Sequence, residues 1–267
     1  MMEKEESVKL TGLCIGYRQH SNDRVVAEGL TASICSGQLT CLLGRNGVGK
    51  STLLRTLAAF QPPLGGSIEV NGRDLTRFTA KELAKTIGVV LTERPDVQQM
   101  TVRELVAMGR SPYTGFWGCL EDEDERVLDE AMDMVGITEL SSRLAATLSD
   151  GERQKVMIAK ALAQETPIVY LDEPTAFLDY PSKVDILLLL RRISREAGKT
   201  IFLSTHDVEL ALQIADCLWL LQEGGKLSVG TPRELAQQGV LASFVESDSN
   251  KSVRFIEESL SVRLVDC

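Results

Sequence analysis

The sequence is poor in the residues that build zinc sites. It has two histidines, His20 and His206, and its six cysteines contain no Cys-x-x-Cys pair. A structural or catalytic zinc centre of the Cys/His type is therefore not expected. Cys14, Cys35, Cys41, Cys119, Cys217 and Cys267 are expected as free thiols in a reducing compartment. No CaaX pattern accompanies Cys267. Long apolar runs are missing too. The densest, Ile186 to Leu190, stops at Arg191 and Arg192, whereas a membrane span needs about 20 apolar residues. No apolar stretch follows Met1-Met2-Glu3-Lys4-Glu5-Glu6, so no secretory signal is expected. The chain should reach a membrane only by docking onto a protein that crosses it. Positive charge is also short. Lys and Arg total 29 against 38 Asp and Glu, a net charge of −9, which disfavours a nucleic-acid partner. Internal repeats and low-complexity segments are absent.

What is present suits a large globular domain with a subdomain. The 267 residues are 43% hydrophobic and 25% charged, enough for a full core. Val8 to Ile15, Val25 to Ile34 and Leu39 to Leu43 read as strands cut by Gly16, Gly37 and Gly44. Asn71-Gly72 after Ser67 to Val70 is a hairpin signal, and Ile87 to Leu91 is a further strand. The middle then turns helical. Thr101 with Glu104 forms a capping box, Asp122 to Val135 has helical apolar spacing, and Ser149 to Gln164 reads as another helix. Ile168 to Leu171 and Thr200 to Leu203 are continuous apolar strands of the doubly covered kind. Between them, Pro181 to Glu196 is expected as a helix burying Val184, Leu187, Leu188 and Ile193, with Pro181 at its first position. Asp207 to Ala215 reads as a helix, and Glu223-Gly224-Gly225 as a hairpin turn. A short helix and a polar tail without a functional motif follow Thr231-Pro232.

Two constellations carry chemistry. Gly44-Arg45-Asn46-Gly47-Val48-Gly49-Lys50-Ser51-Thr52 matches the phosphate-loop pattern G-x-x-x-x-G-K-[ST] between a strand and a helix. Gly44, Gly47 and Gly49 let backbone N–H groups approach phosphate oxygens. The helix start adds about half a positive charge. Lys50 supplies a full charge to the β and γ phosphates, and Ser51 offers a hydroxyl to magnesium. Second, the strand Ile168 to Leu171 ends in Asp172 and Glu173. Open parallel sheets bind ligands beyond the carboxyl ends of their strands, so both acids are expected at the crevice of Lys50. Asp172 can hold magnesium and Glu173 can polarise an attacking water. Alone, two acids before Pro174 would read as a turn cap. With the loop upstream they point to hydrolysis of a nucleoside triphosphate.

The order of motifs resembles the ABC ATPase family over roughly residues 7 to 230. Leu148-Ser149-Asp150-Gly151-Glu152-Arg153-Gln154 resembles the LSGGQ signature. Leu171 to Asp179 resembles Walker B running into the D-loop, and Ser204-Thr205-His206-Asp207 resembles the H-switch. Tyr17 stands where the family stacks an aromatic ring on adenine. The resemblance implies a P-loop NTPase (RecA-like) α/β fold: a mixed sheet core with an antiparallel β subdomain and an inserted helical subdomain. The implied organisation is 1–94 for the first part of the core, 95–164 for the helical subdomain, 165–230 for the rest of the core and 231–267 for a tail. It further implies ATP and magnesium, with Ser51, Asp172 and Glu93 as metal-side residues and Glu173, His206 and Lys50 as catalytic ones. Gly44, Asn46, Gly47, Gly49, Lys50, Ser51, Thr52 and Tyr17 would bind nucleotide, sealed by Ser149 and Gly151 from a second copy.

Three residues depart from the family pattern: Asp150 for the first signature glycine, Glu152 for its glutamine, and Glu93 for the Q-loop glutamine, with Gln98 or Gln99 as alternatives. Met100 to Tyr113 resembles the corresponding stretch of the ATPases of iron-siderophore, haem and cobalamin importers. That implies permease partners, a substrate-binding protein acting indirectly, and a peripheral place on the cytoplasmic face of the inner (cell) membrane. The competing readings are an ABC ATPase of another transporter class, and a soluble ABC-type ATPase or switch acting on nucleic acid or ribosomes. A single phosphate loop, no long heptads and the acidic balance weigh against the second.

Overall fold

A computed structural model describes residues 5–18, 22–93, 97, 99–115, 118–248, 253–256 and 261–264. Gln98 and Cys267 lie outside the described residues. In chain order the elements are β1 (Glu6–Tyr17), β2 (Arg24–Cys35), β3 (Leu39–Leu43), α1 (Lys50–Leu57), β4 (Gly65–Val70), β5 (Arg73–Asp74), α2 (Ala80–Thr86), β6 (Ile87–Val90), α3 (Val102–Ala107), α4 (Asp122–Val135) and α5 (Asp150–Ala163). Then come β7 (Ile168–Asp172), α6 (Tyr180–Glu196), β8 (Thr200–Thr205), α7 (Val208–Ile214), β9 (Cys217–Leu221), β10 (Leu227–Gly230), α8 (Pro232–Gln237), α9 (Val240–Asp248), β11 (Val253–Ile256) and β12 (Ser261–Leu264). The chain divides into two compact units, Met1–Arg77 with Arg191–Cys267, and Phe78–Leu190.

The first unit holds an antiparallel sheet in the order β2-β1-β4-β5 and a mixed group in the order β10-β9-β3-β8. β3 runs parallel to β8 and β9, and β9 runs antiparallel to β10. β3 and β8 are buried at every position, which fits apolar runs covered on both faces. Phe202 meets Trp219 edge-on in this core, with ring centroids 5.0 Å apart. Asn71 and Gly72, both at positive φ (49° and 74°), turn the β4–β5 hairpin.

The second unit pairs β6 parallel to β7, with α2 and α5 packed against β6. Its organising side chain is Arg110, which is buried. Arg110 Nε donates to Asp124 Oδ1 at 2.8 Å, and Nη1 donates to the Ala163 carbonyl at 2.9 Å and to Glu165 Oε2 at 2.6 Å. One guanidinium thus ties the turn after α3 to the start of α4 and the end of α5. Gly109 makes the approach possible, because a Cβ there would lie 2.2 Å from the Lys160 carbonyl oxygen. Tyr113 lies under Arg110, 4.0 Å from ring centroid to guanidinium carbon, and its hydroxyl donates to the Gln164 carbonyl at 3.1 Å.

Several expectations needed correction. Leu188 is 51% exposed, not buried. The buried stripe of α6 runs through Ile186, Leu187, Leu190 and Ile193, and 100° per residue carries Leu188 off it. α6 also opens at Tyr180, one residue before Pro181. α2 was not anticipated, although Thr79 and Glu82 form its capping box. After α8 the chain forms α9, which buries Leu241, Phe244 and Val245, and an antiparallel β11–β12 hairpin, where only a polar tail was expected. Among the described residues, no helix is long and apolar enough to cross a membrane.

Arg110→Ala should destabilise the fold by about 3 kcal/mol, because it strips a buried carboxylate of its cation. A urea midpoint unchanged from wild type would show that this network carries no stability.

Candidate functional site

β3 delivers the chain into the glycine loop at a place with no room for side chains. A Cβ on Gly44 would lie 2.7 Å from the Leu221 carbonyl oxygen and 2.8 Å from Val48 Cγ1. Gly47 and Gly49 sit at φ +83° and +115°, values that L side chains rarely adopt. A Cβ on Gly49 would also come within 2.6 Å of Val26 Cγ1, whereas one on Gly47 would project into open space. Asn46 and Gly47 are exposed at the tip.

α1 begins at once, and its start differs from those of α2, α3, α5 and α8. α2, α3, α5 and α8 each open on a Thr or Ser capping box closed by a glutamate. Among the described residues, no side-chain hydrogen bond caps α1, and its first turn carries no acid. Its leading N–H groups and the positive end of its dipole therefore suit an anion from outside the chain. Lys50 is buried, and its Nζ donates to the Gly44 carbonyl at 2.8 Å and the Arg45 carbonyl at 3.3 Å. The ammonium is thus folded back over the loop. Ser51 is exposed in the same turn. Thr52 is buried, with Oγ1 3.0 Å from the Tyr17 hydroxyl, so the half-exposed Tyr17 ring is pinned beside the loop.

In the same unit, His206 follows β8 and is exposed. Its neighbour Asp207 is fixed on both sides. The Asp207 N–H donates to Thr205 Oγ1 at 3.1 Å, and its carboxylate accepts from the Leu210 N–H at 3.4 Å as the cap of α7.

The second unit gathers the acids. Asp172 closes the buried strand β7 and is itself buried. Its carbonyl accepts a 2.7 Å bond from Thr92 Oγ1, which ties the end of β7 to the residue before Glu93. Glu173 sits at φ +46° and Phe177 at φ +65°. A non-glycine residue in this region stores strain, which is characteristic of functional turns. Glu93, Asp150 and Glu173 line one cleft together with Arg153, Gln154 and Phe177. Sequence reasoning singled out those three acids separately. It passed over Arg153 and Gln154, although both fall within the signature stretch.

Ser149 caps α5 and is exposed. Its N–H donates to Glu152 Oε2 at 2.8 Å, and its hydroxyl lies 2.9 Å from the same oxygen. The Glu152 N–H returns a 3.3 Å bond to Ser149 Oγ. The N–H and hydroxyl of Ser149 hold the Glu152 carboxyl below the usual carboxylate range. Gly151 packs close to α6, since a Cβ there would lie 3.3 Å from Ser182 Oγ. Nearby, Asp179 accepts from the Ser182 N–H at 3.2 Å, and Ser182 likewise holds its carboxyl low.

Taken each within its own unit, Ser51 offers a hydroxyl and Asp172 and Glu93 offer carboxylates. These are hard oxygen donors, the type that suits magnesium rather than a softer metal, and magnesium takes few protein ligands beside phosphate oxygens. Among the described residues, no group of three or more His, Cys, Asp or Glu could hold a metal ion.

Comparison with known proteins follows the same outline. A family model described as ABC transporter matches residues 27–176. The ferric enterobactin transport ATP-binding protein FepC of Escherichia coli is 40% identical over 233 residues, covering 86% of this chain and 84% of that protein. The hemin import ATP-binding protein HmuV of Streptomyces coelicolor is 38% identical over 227 residues, covering 85% and 80%. A solved dimeric ATP-binding cassette, in a post-hydrolysis state bound to ADP and Pi, superposes with a TM-score of 0.72 at 26% identity, over 84% of this chain and 98% of that one. The matched stretch includes both the glycine loop and the acid-tipped strand, and the likeness runs through most of each relative. The chain therefore belongs to the ABC transporter family, as an ATP-binding and ATP-hydrolysing subunit.

Proposed function

We propose that this ATPase powers import of a ferric siderophore or haem, docked as a pair of copies on membrane permease subunits at the cytoplasmic face of the cell membrane. A substrate-binding protein on the far side would deliver the cargo. The chemistry rests on one observation: α1 starts without a cap, directly behind a glycine loop carrying a buried lysine. The cargo class is supported by the names of the two import relatives and by the Met100 to Tyr113 stretch.

In this reading the backbone of Gly44, Asn46, Gly47 and Gly49, with Lys50, Ser51 and Thr52, binds the triphosphate of ATP. Lys50 exchanges its two carbonyl acceptors for β and γ phosphate oxygens. Tyr17, held by Thr52, stacks on the adenine. Ser51, Asp172 and Glu93 would hold magnesium, which when bound neutralises charge on the β and γ phosphates. Glu173 takes a proton from the water attacking the γ phosphorus. The bond to the β-phosphate oxygen breaks, and ADP and inorganic phosphate result. His206 positions the γ phosphate. Ser149 and Gly151 of the partner subunit complete the enclosure at the start of α5, another helix N-terminus. ATP does work because it binds the closed pair better than the open one. The Met100 to Tyr113 stretch would receive the permease.

Glu173→Gln should slow turnover about 10²- to 10⁴-fold while preserving ATP binding. It should also yield an ATP-dependent dimer by light scattering. Wild-type turnover in this variant would remove Glu173 from the role of base. Lys50→Ala should weaken ATP binding at least about tenfold, as loss of a charged phosphate contact implies, measured with a fluorescent analogue. Cells lacking this subunit should fail to accumulate iron supplied as a labelled siderophore or as haem. A defect confined to another cargo would move the chain to a different import class.

A further inference from the structure

The start of α5 presents an electrostatic problem for the proposed role of Ser149. A serine hydroxyl has one proton to donate. Here that hydroxyl lies 2.9 Å from Glu152 Oε2, the oxygen that also accepts the Ser149 N–H. A carboxylate at this place competes with an incoming phosphate for the proton. It also adds negative charge at the positive end of the helix, where a second anion would have to settle.

The structure supplies a counterweight. Arg143 Nη1 donates to Glu152 Oε1 at 3.1 Å, and Nη2 donates to the Thr147 carbonyl at 2.7 Å. The guanidinium therefore bridges the other oxygen of the carboxylate to the backbone two residues before Ser149. Arg143 is itself anchored through its main chain. Its N–H donates to the Leu140 carbonyl at 2.9 Å, and its carbonyl accepts from the Val102 N–H at 2.9 Å. The ion pair is partly exposed, 41% and 33% at the two side chains, so it adds little to folding stability. Its value lies in where it puts charge.

We propose that Arg143 is a positioning residue for ATP closure: it neutralises Glu152 and retains the carboxylate, freeing the Ser149 hydroxyl for the γ phosphate bound by the partner subunit. The acid that stands in place of the signature glutamine is thus tolerated because an arginine is built in beside it. This rests on the reading that Ser149 meets the partner's ATP.

The test is a double-mutant cycle on the full chain carrying Glu173→Gln, reading the ATP concentration for half-maximal dimerisation. Arg143→Ala should raise that concentration about tenfold, the scale of one uncompensated like-charge contact. In a Glu152→Gln background the same substitution should change nothing further. Urea midpoints should stay close to the parent in both backgrounds. An equal loss in both backgrounds would overturn the proposal, because Arg143 would then act independently of Glu152. No loss in either background would overturn it as well. Ser149→Ala is the separate control. If it leaves ATP-dependent dimerisation unchanged, the cross-subunit role of Ser149 itself fails. If it weakens dimerisation, only the cycle at Arg143 and Glu152 is being judged.

Discussion

An α-helix begins with N–H groups that its own backbone cannot satisfy, and at α1 no side-chain hydrogen bond among the described residues caps them. The rest of the site follows from that omission. Glycines at left-handed φ bring the backbone around before the helix starts, and Val26 and Leu221 leave no volume for side chains at Gly49 and Gly44. Lys50, buried and bonded to the carbonyls of Gly44 and Arg45, puts its cation where the helix dipole is already positive. Two positive features held side by side at a cost in backbone freedom make sense when a strong anion joins them. A triphosphate is such an anion.

The second unit shows the opposite arrangement, an accumulation of negative charge. Glu93, Asp150 and Glu173 share one cleft, and Glu173 is held in a conformation that a glycine would adopt more easily. The surroundings hold this group in place. Thr92 ties the end of β7, and Arg110 braces the α3 turn, α4 and α5. Clustered carboxylates call for balancing positive charge, which Arg153 brings to the same cleft and magnesium supplies beside phosphates. At the signature, Arg143 answers the same need with a side chain. Each feature, loop and cleft, is built from its own unit's backbone and side chains.

Much of this was legible in the residues themselves because it depends on short-range rules. A glycine-lysine-serine loop between an apolar strand and a helical repeat dictates its own backbone. Continuous apolar runs such as Leu39 to Leu43 and Ile168 to Leu171 are buried throughout, as their lack of alternation demands. Asp122 to Val135 became α4 with the bounds its charge and apolar spacing indicated. Asn71-Gly72 turned its hairpin for purely local reasons.

What the residues left open were matters of facing and of distant neighbours. The apolar character of Leu188 suggested burial, but the direction of the α6 stripe depends on what the helix packs against, and it leaves Leu188 outside. The tail reads as polar because α9 needs only a few apolar residues to find cover, and two four-residue strands carry too short a pattern to stand out. Nothing in the order of residues pairs Arg143 with Glu152 or sets Arg110 between Asp124 and Glu165. Sequence by itself determined the chemistry, because phosphate binding and hydrolysis rest on backbone turns and residue types at fixed spacing. Tertiary structure alone decided which charges neutralise which, because that depends on distances between segments remote along the chain.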